Sequence, residues 1–383
     1  MKIGIDARLI NQTGVGRYTQ NLISQLSEID KRNDYTLFVR KEDQENLKSQ
    51  IPNLKEKIIN NQWSIVNVNI PWHSIKEQVQ FTEILNRENL DLVHFPYFSV
   101  PVLYNRPFVI TIHDLILHHY PTGKASTLPF PFYVFKVIGY KYIIKKASQK
   151  AKKIITVSKS TREEIVDHLK VPQDKIEVIY EGVDDRIQNS ESRIQNKSQN
   201  TRYSIPNTEY FLFVGNVYPH KNAQRLIKAF NIFLQYFPNT LLIFVGKEDF
   251  FHKRLRETIG KMDLGKKIQF YGRVSDEDLG VLYKNAIALV VPSLMEGFGL
   301  PALEAMANKC LVLASDIKAL KEICGQGALY FDPYDIDDMA EKMKIAYKKD
   351  FDRKIIEEGF KRSKKFSFLK MAQETLRIYE DIK

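Results

Sequence analysis

Cysteine is scarce in this chain: Cys310 and Cys324 are the only two among 383 residues. Their spacing fits no zinc pattern, and so few thiols cannot staple a small disulfide scaffold, so both read as free thiols. Long apolar runs are missing as well. No stretch of about 18 apolar residues occurs, so no membrane-spanning helix is expected. The opening Met1-Lys-Ile-Gly-Ile-Asp6 passes at once into a strand pattern without a signal-peptide apolar region, and the expected location is cytoplasmic. No repeat of solenoid period is visible, and no nucleophile triad, P-loop lysine or histidine cluster stands out.

What remains is ordinary soluble composition, 44% hydrophobic and 27% charged, at a length that favours two or three domains. The balance of charge is basic, +11, which suits nucleic acid, an anionic membrane or phosphorylated substrates. No RNA- or DNA-binding motif accompanies it, so nucleic acid is not expected as a partner. Lys141, Lys145, Lys146, Lys150, Lys152 and Lys153 cluster behind Phe130-Pro-Phe-Tyr-Val-Phe135. The segment 129–153 has two readings: a peripheral surface that touches acidic lipid on the inner face of the cell membrane, or a domain helix with a solvated basic face and an aromatic core face.

Strand and helix patterns alternate along the chain. Strands are expected at 2–6, 35–39, 64–68, 90–94, 108–112, 154–157 and 176–179, then at 210–214, 241–245, 268–271, 288–291, 311–314 and 328–331. Residues 14–29 read as a glycine loop feeding a helix with Leu22, Ile23 and Leu26 on one face. Alternation of this kind implies parallel sheets covered by helices on both faces. The polar stretch 187–207 divides the chain and reads as a linker or exposed loop. The expected domains are therefore 1–186 and 208–365. In the last segment, 366–383, Phe368, Met371, Ala372, Thr375 and Tyr379 share one helical face. Two doubly wound halves make a crevice facing the carboxyl ends of both sheets.

The segment Pro292-Ser-Leu-Met-Glu-Gly-Phe-Gly-Leu-Pro-Ala-Leu-Glu-Ala-Met-Ala307 carries the most chemistry. It reads as the end of a buried strand, a glycine loop and a helix start with Pro301 in the first turn. Glycine lets backbone approach a ligand, and a helix N-terminus offers N–H groups to phosphate. Glu296 and Glu304 repel phosphate at contact distance but accept hydrogen bonds from sugar hydroxyls. A ligand with phosphates in its middle and sugars at its ends, a nucleotide sugar, answers both requirements.

This segment resembles the E-x7-E motif of the retaining glycosyltransferases of family 4, which have the GT-B fold. Gly4-Ile-Asp-Ala-Arg8 with Gly14-Val-Gly-Arg-Tyr18, Thr111-Ile-His-Asp-Leu115, Ile155-Thr-Val-Ser-Lys-Ser160, Glu181-Gly-Val-Asp184, Phe213-Val-Gly-Asn216 with Pro219-His-Lys-Asn222, Ser275-Asp-Glu-Asp-Leu279 and Phe366-Ser-Phe368 follow in the family's order. The resemblance implies an α/β architecture of two Rossmann-like domains, an N-terminal acceptor domain and a C-terminal donor domain, with the last helix crossing back to the first. It is nearest to bacterial mannosyltransferases of polysaccharide or O-antigen assembly that use GDP-mannose; UDP-glucose, UDP-N-acetylglucosamine and a deoxyhexose donor stay open. The implied acceptor is a glycan or lipid-linked oligosaccharide.

The resemblance also implies residue roles. Lys221 binds the donor diphosphate, Glu304 the ribose and Glu296 the donor sugar, while Gly297, Phe298, Gly299 and Leu300 offer backbone N–H groups. Glu296 is not assigned as a covalent nucleophile, because retaining enzymes of this fold work by front-face attack. His113 stands beside the donor sugar, making His113, Lys221 and Glu296 the catalytic set. Gly14 and Gly16 approach the diphosphate, Gly215 and Asn216 follow the first donor-domain strand, and Gly272, Arg273 and Val274 meet the base. Arg17 and Asp114 are acceptor candidates. Asn216 departs from the family, which places an arginine there; Arg225 or Arg273 is the candidate replacement. Neither Asp276-Glu-Asp278 nor Asp335-Ile-Asp337 is expected to bind metal, since acids at helix starts answer the helix dipole. No cofactor is expected. Two other readings stay open: a sugar-nucleotide 2-epimerase on the same fold and a basic binding module.

Overall fold

The computed structural model describes residues 1–12, 14–51, 54–120, 130–188 and 208–382. Among them the chain forms two compact units. The first holds residues 1–120, 130–182 and 367–382, and the second holds 183–188 and 208–366.

In the first unit, β1 (Lys2–Asp6), β2 (Asp34–Val39), β3 (Trp63–Asn67), β4 (Leu92–Phe95), β5 (Phe108–Ile112), β6 (Lys153–Thr156) and β7 (Ile176–Val178) form one sheet in the order β3-β2-β1-β4-β5-β6-β7. Every pairing is parallel. Parallel strands need helical crossovers, and those crossovers bury both faces. The side chains divide accordingly. Ile3, Ile5, Leu92, Val109 and Ile155 pack on one face with Leu22, Ile23 and Leu26 of the helix Gly14–Ile29. Val93, Phe95, Ile110, Ile112 and Ile154 pack on the other with Ile144, Ile165 and Leu169. The last helix, Phe368–Asp381, belongs to the first of these cores: Phe368, Met371, Ala372, Thr375 and Tyr379 are buried.

The second unit repeats the plan with β8 (Tyr210–Val214), β9 (Leu241–Val245), β10 (Ile268–Gly272), β11 (Ala288–Val291), β12 (Val312–Ser315) and β13 (Leu329–Phe331), ordered β10-β9-β8-β11-β12-β13. These pairings are parallel too. Phe211, Phe213, Leu242, Phe244, Val290 and Leu313 share a core with Leu226, Ile227 and Phe230 of the helix Ala223–Leu234.

The division between units falls after Gly182, four residues earlier than the sequence suggests. Asp184 and Arg186 form an ion pair of 2.7 Å, Arg186 also reaches Asp276 at 3.3 Å, and Ile187 is fully buried, so residues 184–187 pack as part of the second unit. The expected linker lies, from residue 189 to 207, outside the described residues.

Candidate active site

Strand order places a site before any side chain is considered. In each sheet the chain reverses its direction of winding once: between β1 and β4 in the first unit, and between β8 and β11 in the second. At such a point the two following loops diverge and leave a crevice at the carboxyl ends of the strands.

In the second unit the loops after β8 and β11 are tied together by backbone: the Leu294 N–H donates to the His220 carbonyl at 2.7 Å. Lys221 ends a short turn, Pro219–Lys221, and Asn222 adopts the left-handed conformation, φ 59°, that turns the chain into the helix Ala223–Leu234. The Asn222 side chain is fixed by donating to the Pro333 carbonyl at 2.7 Å. On the opposite loop, Gly299 caps the helix Leu300–Ala307 at φ 103°, and a Cβ there would lie 2.8 Å from Leu320 Cδ2. The positive φ calls for glycine, whatever the space around it.

Lys221 and Glu296 meet where these loops converge. The Lys221 ammonium donates to Glu296 Oε1 at 2.7 Å and Oε2 at 2.9 Å, and the Ser293 hydroxyl donates to Oε1 at 2.7 Å. Only 18% of the lysine side chain and 8% of the glutamate side chain are exposed. Burial pushes the Glu296 carboxyl up, but the Lys221 charge and the hydrogen bonds from Lys221 and Ser293 outweigh it, and its pKa lies below the ordinary value. Burial, helped by the Lys221 charge, drives the neighbouring His220 imidazole down to about 4, so Lys221 is the cation of this loop at neutral pH. Glu304 lies in the helix Leu300–Ala307, 4% exposed, and accepts from the Tyr283 hydroxyl at 3.0 Å.

In the first unit His113 follows β5 directly. Its Nε2 lies 3.0 Å from the Pro96 carbonyl and its Nδ1 3.1 Å from Glu181 Oε1. A carbonyl can only accept, so Nε2 is the donor in the first contact. The Tyr18 ring packs edge-on against the imidazole at 4.8 Å. Behind it runs a buried polar chain: Tyr18 and Thr111 hydroxyls at 3.1 Å, Thr111 Oγ1 and His94 Nε2 at 2.8 Å, and His94 Nδ1 and the Tyr379 hydroxyl at 2.5 Å. Burial pushes the His94 imidazole down to about 3, so it bridges these hydroxyls as a neutral ring.

Two family models match the chain, "Glycosyltransferase Family 4" over residues 12–186 and "Glycosyl transferases group 1" over residues 195–362. The O-antigen chain mannosyltransferase RfbU of Salmonella typhimurium is 31% identical over 266 residues, 69% of this chain and 67% of its own. The chain belongs to the group 1, family 4 glycosyltransferases. The O-antigen chain mannosyltransferase B of Escherichia coli is 27% identical over 299 residues, 76% of this chain and 74% of its own. Among solved structures, Anabaena Alr3699/HepE in complex with UDP and glucose superposes with a TM-score of 0.72 over 99% of both chains at 16% identity. The fold is accordingly GT-B, and the chain is a glycosyltransferase.

The remaining candidates of this glycosyltransferase sit as follows. Gly215 follows β8 and its N–H donates to the Val245 carbonyl at 2.8 Å. The Asn216 side-chain oxygen accepts from the Tyr218 N–H at 3.3 Å, so it closes its own loop. Arg225 donates to Asn222 at 3.0 Å and lies over the Tyr334 ring. With Tyr218, Lys228 and Arg254 it lines a cavity of about 390 Å³ that neither Lys221 nor Glu296 lines. Gly272 ends β10, with exposed Arg273 and half-buried Val274 after it. Gly297 is buried, and Phe298 turns inward against Phe366, so only their backbones could meet a ligand. Gly14 stands exposed at its helix start. Gly16 has a reason of its own: a Cβ would lie 2.4 Å from the Ile10 carbonyl oxygen. Arg17 is half-buried in the first turn of the same helix, and Asp114 accepts from the Ile116 N–H at 2.9 Å. Both Asp-x-Asp segments lie at helix starts. Ser275 caps the helix Asp276–Asn285, and Asp335 itself caps Ile336–Lys348 by accepting from the Asp337 and Asp338 N–H groups.

Sequence reasoning missed Glu181. The motif Glu181-Gly-Val-Asp184 signalled it without a role. Its neighbour Gly182 packs closely on the start of the last helix, where a Cβ would lie 2.2 Å from the Phe368 nitrogen.

The ion pair generates a prediction. Lys221→Met leaves the Glu296 carboxylate buried without its counter-charge and is expected to lower stability at pH 7 by about 1–3 kcal/mol in urea denaturation. A depressed carboxyl pKa stabilises above the unfolded value, ordinarily 4.5, and loses that contribution as pH falls through the lower native value. The gap between wild type and variant is therefore expected to narrow below about pH 4.5; a gap independent of pH, or none at pH 7, is the contrary result.

Proposed function

We propose that this glycosyltransferase moves a hexose, mannose from GDP-mannose, onto a glycan or lipid-linked acceptor during bacterial polysaccharide or lipopolysaccharide assembly, with retention of anomeric configuration and without a catalytic metal. The observation that carries the reading is the Lys221–Glu296–Ser293 constellation at the second sheet's switch point, beside a helix start capped by Gly299. Glycosyl transfer breaks the anomeric bond through an oxocarbenium-like state while charge builds on the leaving diphosphate. The Lys221 ammonium supplies the opposing charge. It has three N–H donors, so a phosphate oxygen can compete with Glu296 for it. The displaced Glu296 carboxylate then accepts from donor-sugar hydroxyls. Glu304 accepts from the ribose in the way it accepts from the Tyr283 hydroxyl. His113 is held in one orientation by Glu181 and the Pro96 carbonyl, and the leaving phosphate takes the acceptor proton. Mannose and the O-antigen setting rest on the names of the two relatives.

The acceptor reading includes a peripheral contact with anionic membrane. The helix Phe130–Lys150 exposes Phe135, Ile138 and Tyr142 by 74, 58 and 56%. Their spacing puts them on one side, and Lys136, Lys141, Lys145 and Lys146 are exposed around them. Exposed aromatics ringed by lysines suit a headgroup layer better than water. The lysine cluster is smaller than its sequence implies. Lys150 donates to the Val102 carbonyl at 2.5 Å and to Asn105 at 2.7 Å, and Lys153 pairs with Glu177 at 2.9 Å, so both serve the fold. The side chains of residues 129–133 lie outside the described residues. No described helix is long and apolar enough to cross a membrane.

Three experiments test these readings. In a thermal-shift panel of GDP-mannose, UDP-glucose, UDP-N-acetylglucosamine, dTDP-sugar and ADP-glucose, the guanosine donor is expected to raise the melting temperature most; a rise with a uridine donor alone contradicts it. Incubation with donor and no acceptor is expected to give no epimer, whereas turnover to one would favour the 2-epimerase. In liposome sedimentation, Lys141→Glu/Lys145→Glu/Lys146→Glu is expected to lose binding to anionic vesicles and keep turnover on a short soluble acceptor. Unchanged vesicle binding removes the membrane contact.

A further inference from the structure

The structure gathers a histidine cluster in the first unit, against the expectation from sequence. His119 ends the short helix Ile116–His119 that follows β5. Glu164 and His168 stand one turn apart on the helix Lys159–Leu169 that follows β6. Strands β5 and β6 are parallel neighbours, so the two segments leave adjacent carboxyl ends of the sheet. An i, i+4 spacing puts Glu164 and His168 on one helical face. Glu164 Oε2 lies 2.5 Å from His119 Nε2 and 3.3 Å from His168 Nε2. The His119 and His168 rings meet edge-on at 4.8 Å, and one ligand atom from each of the three residues falls within 4.8 Å of the other two.

We propose that His119, Glu164 and His168 form a binding site for a divalent first-row transition ion of the zinc class. Two imidazole nitrogens and one carboxylate oxygen are the donor set that such ions prefer over magnesium or calcium. Metal–ligand bonds of about 2.0–2.2 Å need ligand atoms some 3.3–3.6 Å apart in a tetrahedral arrangement. The 3.3 Å separation already has that value, and the 2.5 Å contact must open by about 1 Å. Small rotations about the side chains supply this, since each is about a third or more exposed, at 34, 32 and 41%. Exposure also gives the ion an entry path, and water completes the coordination.

The consequence is positional. The ion would staple the segment that carries His113, Asp114 and His119 to the helix Lys159–Leu169. That helix is already fixed at its start, where Ser158 caps it and the Thr161 hydroxyl donates to the His113 carbonyl at 3.3 Å. The site is separate from Lys221 and Glu296, which belong to the second unit, and it stands apart from the expectation that glycosyl transfer needs no metal.

The full chain, stripped with chelator and titrated with Zn²⁺ by calorimetry and with Co²⁺ by visible absorption, tests the proposal. One equivalent is expected to bind saturably, raise the melting temperature and give a Co²⁺ spectrum of nitrogen–oxygen coordination. Glu164→Gln and His168→Ala each are expected to weaken binding at least about tenfold, since even outer contacts to such ions are worth that much. Both positions are partly exposed, and circular dichroism of each variant checks the fold. No saturable binding by the wild type, or unchanged binding in both folded variants, overturns the site.

Discussion

A carboxylate facing a half-buried ammonium is the interaction on which the candidate site of the second unit depends. Desolvation disfavours the Glu296 charge, and the facing Lys221 charge, with the hydrogen bonds from Lys221 and Ser293, outweighs it. Their mutual attraction, with the Ser293 hydroxyl, holds both in place. A buried pair of this kind adds little stability compared with a well-packed apolar pair. What it offers is a charge held at the carboxyl ends of β8 and β11, where the strand order leaves a crevice and where, on the proposed reading, a diphosphate needs a cation. The backbone bond from Leu294 to His220 keeps the two loops at a fixed separation, so the pair is set in place before any ligand arrives.

The first unit positions its histidine by different means. His113 is held from both ring nitrogens, by the Pro96 carbonyl and by Glu181, whose neighbour Gly182 packs on the start of the last helix. That helix reaches the same neighbourhood a second time through Tyr379, His94, Thr111 and Tyr18. The family's returning helix is thus more than a cover for the core. Through Tyr379 it joins the hydrogen-bonded chain that ends at Tyr18, whose ring packs against His113.

Much of this was legible in sequence because doubly wound sheets write themselves plainly: buried parallel strands are short β-branched runs between amphipathic helices. All thirteen described strands lie where such runs occur. Their edges shift by one or two residues for physical reasons. Leu90, expected to open β4, packs in the core from the turn before the strand, while Asp91 accepts from the Lys2 N–H at 2.8 Å. The helix start at Leu300 and the positions of Lys221 and Glu296 on facing loops follow from local spacing. Contacts across long sequence separations do not. Tyr283 closing on Glu304, Glu181 on His113 and Glu164 on His119 join residues 21, 68 and 45 positions apart, and no periodicity marks them. Nor does composition reveal that Lys150 is spent on backbone carbonyls while Lys145 is not.

Glu304 is the residue whose enclosure weighs most on the donor reading, since Tyr283 already donates to it. Lys221 is the one whose charge the reading requires. The most direct test is calorimetric titration of wild type and Lys221→Ala with a nucleoside diphosphate and with the corresponding nucleoside. Loss of the ammonium is expected to weaken the diphosphate about tenfold or more, the worth of one charged hydrogen bond, and to leave the nucleoside unchanged. Equal weakening of both ligands, or no change in either, would contradict the assignment of this ion pair to the donor phosphates.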